Sequence, residues 1–202
     1  MPRLLPFIVK CRCGNGKTVV EYLQKPREVY RLRILGLDPG IAIVGFGVIE
    51  TGRGDFSYVA HGTIRTEAGL PLSRRLEIIY DDLNSLLDSV EPDAVAVEEL
   101  FFNTNITTGI SVAHGRGILL LVCRQRGIPI YEYTPLQVKQ SVVGYGRAEK
   151  KQVMEMVRRM LHLEDIPKPD DAADALAIAL CHGRAVSSLL FRTGEDTLCS
   201  TI

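Results

Sequence analysis

Four acidic residues carry the strongest chemical signal in this chain: Asp38, Glu98, Asp171 and Asp174. Asp38 closes the apolar run Ile34-Leu35-Gly36-Leu37, and Glu98 closes Ala94-Val95-Ala96-Val97. If those two strands run parallel, both carboxylates arrive at the sheet edge where open α/β sheets place their sites. Asp171 and Asp174 stand three apart at the start of a helical segment and share one of its faces, beside a helix N-terminus that favours negative charge. Clustered carboxylates repel one another unless protonated or bridged by cations, and an all-oxygen cage suits Mg²⁺ or Mn²⁺. Two such ions about 4 Å apart activate a water, stabilise a leaving oxygen and align an in-line displacement at a phosphodiester. Taken singly, each acid also has an ordinary structural reading: Asp38 opens an Asp-Pro-Gly turn, Asp170 or Asp171 caps a helix, and Glu98 or Glu99 is solvated. The joint placement is what favours metal-dependent hydrolysis.

The elements that must position these acids are legible in the periodicity. Ile34–Leu37 and Ile41–Ile49 read as a hairpin, and Phe56–Arg65 as a third strand. Leu72, Leu76, Ile79, Leu83, Leu86 and Val90 recur at three- and four-residue steps, which predicts a helix ended by Pro92. A buried strand at Ala94–Val97, a helix over Ile106–Gln125 stopped by Gly127, and a strand over Ile128–Tyr133 follow. Pro135 opens a short helix, Gly144 and Gly146 mark a turn, and helices are expected over Ala148–Leu161 and from Asp170 to about Cys181. The fold class is α/β, a mixed sheet of about five strands flanked by helices.

The 202 residues suit one domain, and no apolar run approaches the roughly 20 residues of a membrane span. Five irregularly spaced cysteines indicate free thiols rather than a disulfide framework, and hence a cytoplasmic protein without membrane partners. Cys123 and Cys181 read as small core residues; His114, His162 and His182 lack the spacing of a metal pair and read as surface or capping residues. The net charge of zero conceals an asymmetry, because residues 1–31 hold seven basic and two acidic side chains. That leader, with Pro2, Pro6, Gly14, Gly16 and Pro26, is expected to be poorly ordered, and residues 185–202 are expected to form a flexible tail. A second basic stretch comprises Lys139, Arg147, Lys150, Lys151, Arg158 and Arg159, against Glu149 and Glu155. It is either a phosphate-facing surface or a solvated helix face.

Five blocks, Ile34-Leu35-Gly36-Leu37-Asp38-Pro39-Gly40, Ala96-Val97-Glu98-Glu99-Leu100-Phe101, Gln137-Val138-Lys139-Gln140, Ala148-Glu149-Lys150 and Asp171-Ala172-Ala173-Asp174-Ala175-Leu176-Ala177, together resemble the RuvC-type Holliday-junction resolvases. The likeness runs from about Arg33 to His182, in family order. It implies a ribonuclease-H-like nuclease domain over residues 32–184, acting as a homodimer that nicks opposing strands of a four-way DNA junction in recombination and repair. It further implies that Asp38, Glu98, Asp171 and Asp174 bind two catalytic Mg²⁺ ions, with Mn²⁺ as a substitute. Lys139, also catalytic, and Lys150 fall on family lysines near phosphates, and Arg147 and Lys151 join them as DNA contacts. Phe101 matches an aromatic at the junction centre, where stacking on a base is chemically sensible; a core phenylalanine beside Phe102 is the alternative. The Ile106–Gln125 helix corresponds to the one that pairs the subunits, with an ordinary buried face as the default reading of Ile110, Ile118 and Leu121, and a branch-migration helicase complex is the implied partner. The family's first strand begins almost at the initiating residue, so translation here is expected to start near Leu32. The alternative is a genuine basic tail that adds nonspecific DNA affinity.

Fold alone leaves other activities open. A ribonuclease-H-like enzyme acting on another nucleic acid, an actin-like nucleotide-binding module and a noncatalytic junction scaffold are the competing readings. Lys139 and Phe101 favour the junction enzyme, the absence of a second Asp-Gly loop counts against the nucleotide module, and four intact acids count against the scaffold.

Overall fold

The computed structural model describes residues 9–12, 18–21, 31–52, 55–100 and 106–195. The chain divides into two units, Met1–Tyr30 and Arg31–Ile202. In the first, β1 (Val9–Arg12) pairs antiparallel with β2 (Thr18–Glu21). Strands of four residues are too short to establish a period, so the sequence does not announce them.

In the second unit, β3 (Leu32–Asp38), β4 (Ile43–Gly52) and β5 (Asp55–Arg65) form an antiparallel meander. After α1 (Leu72–Val90), strand β6 (Ala94–Glu98) joins β3 in parallel; after α2 (Ile106–Gln125), β7 (Ile130–Tyr133) joins β6 in parallel. The order β5-β4-β3-β6-β7 puts β3 at the centre of the expected five-stranded mixed sheet. Helices α3 (Pro135–Val143), α4 (Lys150–Met160) and α5 (Asp170–Glu195) complete the unit. Among the described residues no helix is long and apolar enough to cross a membrane.

Local chemistry accounts for the boundaries. On α1 the buried stripe is Ile79, Leu83, Leu87 and Val90, with Leu87 rather than Leu86 in the core and Leu72 exposed. Glu91 adopts φ 47° and donates its N–H to the Leu87 carbonyl, which ends α1 just before Pro92. Strand β7 starts two residues later than expected, after Pro129, which has no N–H for a ladder. Thr134 caps α3 in a reciprocal box with Gln137, Pro135 occupies its first turn, and Gly144 at φ 98° closes it. Glu149 caps α4 through Gln152. Helix α5 continues past Cys181 to Glu195, so residues 185–195, expected to belong to a flexible tail, are helical. Ala185, Leu189 and Leu190 are good helix formers and no proline interrupts them.

Side chains alternate across the sheet and separate two cores. Leu35, Leu37, Val95 and Val97 pack with α1 and α2 on one face. Ile34 and Ala96 pack with α3, α4 and α5 on the other. On that second face α5 lies unusually close to the strands. A methyl group at Gly36 would stand 2.0 Å from the Ala175 carbonyl oxygen, one at Gly45 would stand 2.0 Å from the Asp171 carbonyl oxygen, and one at Gly47 would stand 2.6 Å from the Leu176 nitrogen. The helix answers with Ala172, Ala173, Ala175, Ala177 and Ala179, all buried.

Gly36→Ala therefore forces backbone against backbone, where no rotamer change relieves the overlap. We expect it to destabilise the chain by at least about 2 kcal/mol, the range of an overpacked core, measured as a lowered urea midpoint. An unchanged midpoint would contradict the close approach.

Candidate active site

Register brings the first two acids together. Gly36 pairs with Ala96 and Leu37 with Val97, so one further step sets Asp38 beside Glu98 at the ends of parallel neighbours. Both are even-numbered in strands whose even positions face α5, so both carboxylates project toward that helix. Asp174 comes from the first turns of α5, held over the sheet by the glycines of β3 and β4.

Asp38, Glu98 and Asp174 line one cleft of about 220 Å³, with Lys139 and Lys150 on the same walls and Pro135, Val138, Val153 and Ala177 as its apolar lining. The capped N-terminal turns of α3 and α4 are what carry Lys139 and Lys150 there. Lys150 Nζ lies 3.0 Å from Asp174 Oδ2 and 3.4 Å from Asp170 Oδ2. Asp170 thus joins the lysine as well as the negative first turn of α5.

Asp171 does not line the cleft. It stands one turn before Asp174, with its carbonyl over Gly45, near enough that its charge raises the pKa of both Asp38 and Asp174. Arg147 and Lys151 are exposed and do not line the cleft. Arg158 and Arg159 both bind Glu155, at 2.8 and 2.7 Å, and draw its carboxyl down to about 2. The basic stretch read from the sequence is therefore divided, and its second half is partly neutralised, two arginines sharing one carboxylate. Phe101 lies outside the described residues.

The electrostatics of the cleft are strained in one direction. Burial, followed by the charges of Glu98, Asp174 and Asp171, pushes the Asp38 carboxyl up to about 8, with Lys150 opposing. Burial and Asp174 push Glu98 up to about 7, with Lys139 opposing. Burial also raises Asp174, although Lys150 pulls it down. Oxygen donors that resist ionisation because they are crowded and dry fit a hard divalent cation, which would relieve the repulsion. As the side chains stand, no three acidic, histidine or cysteine groups among the described residues are gathered at one ligation point.

Several contacts around the cleft escape sequence reading. His182, expected at the surface or at a cap, is buried; its Nδ1 shares a 2.7 Å hydrogen bond with the Tyr133 hydroxyl and its ring stacks on Tyr131. Burial pushes its pKa down to about 4. His114 and His162 are exposed, and Cys123 and Cys181 are buried, as expected. Arg116, on α2, ion-pairs with Glu132 of β7 and donates to the Glu98 carbonyl. The sequence signal for Arg116 is a charge in the middle of a helix whose other arginine, Arg124, sits in the last turn.

Comparison with known proteins gives concordant results. The family model of crossover junction endodeoxyribonuclease RuvC matches residues 34–182. The chain is 53% identical over 153 residues to the crossover junction endodeoxyribonuclease RuvC of Brevibacillus brevis, covering 76% of this chain and 92% of that one. It is 50% identical over 165 residues to the protein of the same name from Caldicellulosiruptor saccharolyticus, covering 81% and 99%. Among solved structures, Thermus thermophilus RuvC in complex with Holliday junction substrate matches with a TM-score of 0.74 and 35% identity, over 78% of this chain and 96% of that one. The sheet and its helices are accordingly ribonuclease-H-like.

The raised pKa of Asp38 has a consequence for stability. Its folded value exceeds the ordinary 3.8 of a free carboxyl, so the folded state holds the proton more tightly. Stability of the metal-free chain then falls as pH rises from about 4 to about 8. Asp38→Asn removes this penalty, and its Tm should exceed that of the wild type at pH 8 by about 2–4 °C for each kcal/mol relieved. The difference should shrink toward pH 5. Calorimetry of both proteins at the two pH values, in chelator, checks this; a Tm gap independent of pH would refute it.

Proposed function

The chain belongs to the RuvC family of crossover junction endodeoxyribonucleases, and on that premise we propose that it is a structure-selective endonuclease. It resolves four-way (Holliday) DNA junctions by paired symmetric nicks, hydrolysing phosphodiesters with divalent metal in recombination and repair. The observation that carries this reading is the cleft itself, in which carboxylates from two parallel strand ends and one helix face two lysines.

Asp38, Glu98 and Asp174 in the cleft, with Asp171 one turn before Asp174, would hold two Mg²⁺ ions per subunit, with Mn²⁺ able to substitute. When bound, the metal supplies Lewis-acid activation of a water and neutralises charge on the phosphate. Lys139 and Lys150 orient the phosphate from the walls, and Lys139 stabilises charge on the oxygen being displaced. Holding the phosphodiester in line with an attacking water is the main task of such a site. Exposed Arg147 and Lys151 contact flanking phosphates. Phe101, three residues beyond Glu98, stacks on a base at the junction centre.

The enzyme works as a homodimer, since a dyad matches two equivalent strands of the junction. Helix α2 is the pairing element. Ile110 and Leu121 are eleven residues apart on one helical face and about half exposed, at 50% and 48%. A branch-migration helicase complex delivers the junction, and the enzyme acts in the cytoplasm.

Two experiments test this. With an end-labelled synthetic junction in Mg²⁺, the wild type should cut two opposing strands at equivalent positions and leave linear duplex intact. Asp38→Asn should bind the junction but lose about three orders of magnitude or more in cleavage rate, and Lys139→Ala about 10- to 100-fold. Cleavage that survives in Asp38→Asn would sink the assignment. Leu121→Asp should convert a dimer to a monomer by analytical ultracentrifugation and abolish paired nicking; an unchanged sedimentation coefficient would remove α2 as the pairing element.

A further inference from the structure

Helix α2 packs on the sheet face opposite the cleft, with Leu119, Val122 and Cys123 in the core beneath it. Two consecutive residues of this helix nevertheless reach both acid-bearing strand ends. A methyl group at Gly115 would stand 2.4 Å from the carbonyl oxygen of Gly40, in the turn that follows Asp38. Arg116 Nε donates to the carbonyl of Glu98 at 3.2 Å, and its terminal nitrogen ion-pairs with Glu132 on β7. The Arg116 side chain is only 16% exposed, whereas Glu132 is 46% exposed. A pair with one half-solvated partner contributes little stability by itself. What the guanidinium does hold is the peptide group of Glu98, between its own helix and the neighbouring strand.

We propose that Arg116 is a positioning residue for Glu98, acting from behind the sheet, and that residues 115–116 of α2 brace both acid-bearing strand ends. Arg116 touches the Glu98 backbone, not its carboxylate. The carboxylate leaves the opposite face, so any rotation of that peptide swings its oxygens through the cleft. A displacement of about 1 Å at a reacting centre costs roughly 100-fold in rate. Through its two bonds, to the Glu98 carbonyl and to Glu132, Arg116 also ties β6 to β7 at the level where Glu99 donates to the Tyr133 carbonyl at 2.8 Å, just before the Thr134 cap that starts the helix bearing Lys139. The brace therefore sets Glu98 and Lys139 in one frame.

This inference rests on Glu98 serving in cleavage, so Glu98→Gln is the control. Full-length wild type, Arg116→Ala, Arg116→Lys, Glu132→Gln and Glu98→Gln are compared in three measurements: junction affinity in Ca²⁺, single-turnover cleavage in saturating Mg²⁺, and the Mn²⁺ dependence of Tm. Arg116→Ala should cleave about 10- to 100-fold more slowly while junction affinity changes by less than about threefold. It should also need more Mn²⁺ to reach half of the metal-induced rise in Tm. Arg116→Lys, which keeps one of the two bonds, should recover part of the rate, and Glu132→Gln should fall between wild type and Arg116→Ala. Wild-type cleavage and metal dependence in Arg116→Ala overturn the proposal. So does a loss of rate that tracks loss of Tm and junction binding in parallel, the mark of a merely structural residue. If Arg116→Ala does not fold, unchanged rates in Arg116→Lys and Glu132→Gln overturn it instead. A Glu98→Gln variant that cleaves normally would instead remove the role of Glu98 and leave the brace without a catalytic purpose.

Discussion

Helix α5 lies against β3 and β4 with backbone nearly touching backbone, because Gly36, Gly45 and Gly47 present no side chains and the helix answers with alanine. The cleft depends on this approach. With ordinary side chains between them, a helix stands off a sheet by the thickness of those side chains, and a carboxylate on the helix would be held away from carboxylates on the strands. The glycines remove that spacer, and Asp174 can line the same cleft as Asp38 and Glu98. In return the contact forfeits the large apolar side chains that usually fill such an interface. Ile34, Leu176, Ile178 and Leu180, buried around it, supply the apolar area the glycines cannot.

A site built this way opposes its own folding. Burial and mutual repulsion raise Asp38 and Glu98 far above the usual carboxylate range, and the two lysines offset only part of that. The surrounding structure must hold the acids in place. It does so from both faces of the sheet: α5 and the capped starts of α3 and α4 on the cleft side, and α2 through Gly115 and Arg116 on the other. Strand β3 is paired on both edges, so Asp38 is carried at the end of a strand held from both sides.

Much of this architecture was legible before any coordinates. The span of α1, the ends of β3 and β6 at Asp38 and Glu98, and the opening of α3 at Pro135 all follow from interactions within a few residues. The short strands of the leader and the extension of α5 to Glu195 were missed, the first for want of length and the second for want of a period. His182 was misread for a different reason. Its partner Tyr133 lies 49 residues away, and nothing near His182 in the chain says that it is buried.

From the sequence alone came the candidate groups: four acids, a basic stretch that includes Lys139 and Lys150, and the elements that bear them. Side-chain type and short-range periodicity are local properties, and they can be read one segment at a time. The tertiary structure decided which of these groups meet. It set Asp38 beside Glu98 through parallel register, brought α5 down onto three glycines, left Asp171 outside the cleft lining, and withdrew Arg158 and Arg159 into ion pairs. Proximity between residues distant in the chain arises from packing of whole elements, and no window of sequence contains it.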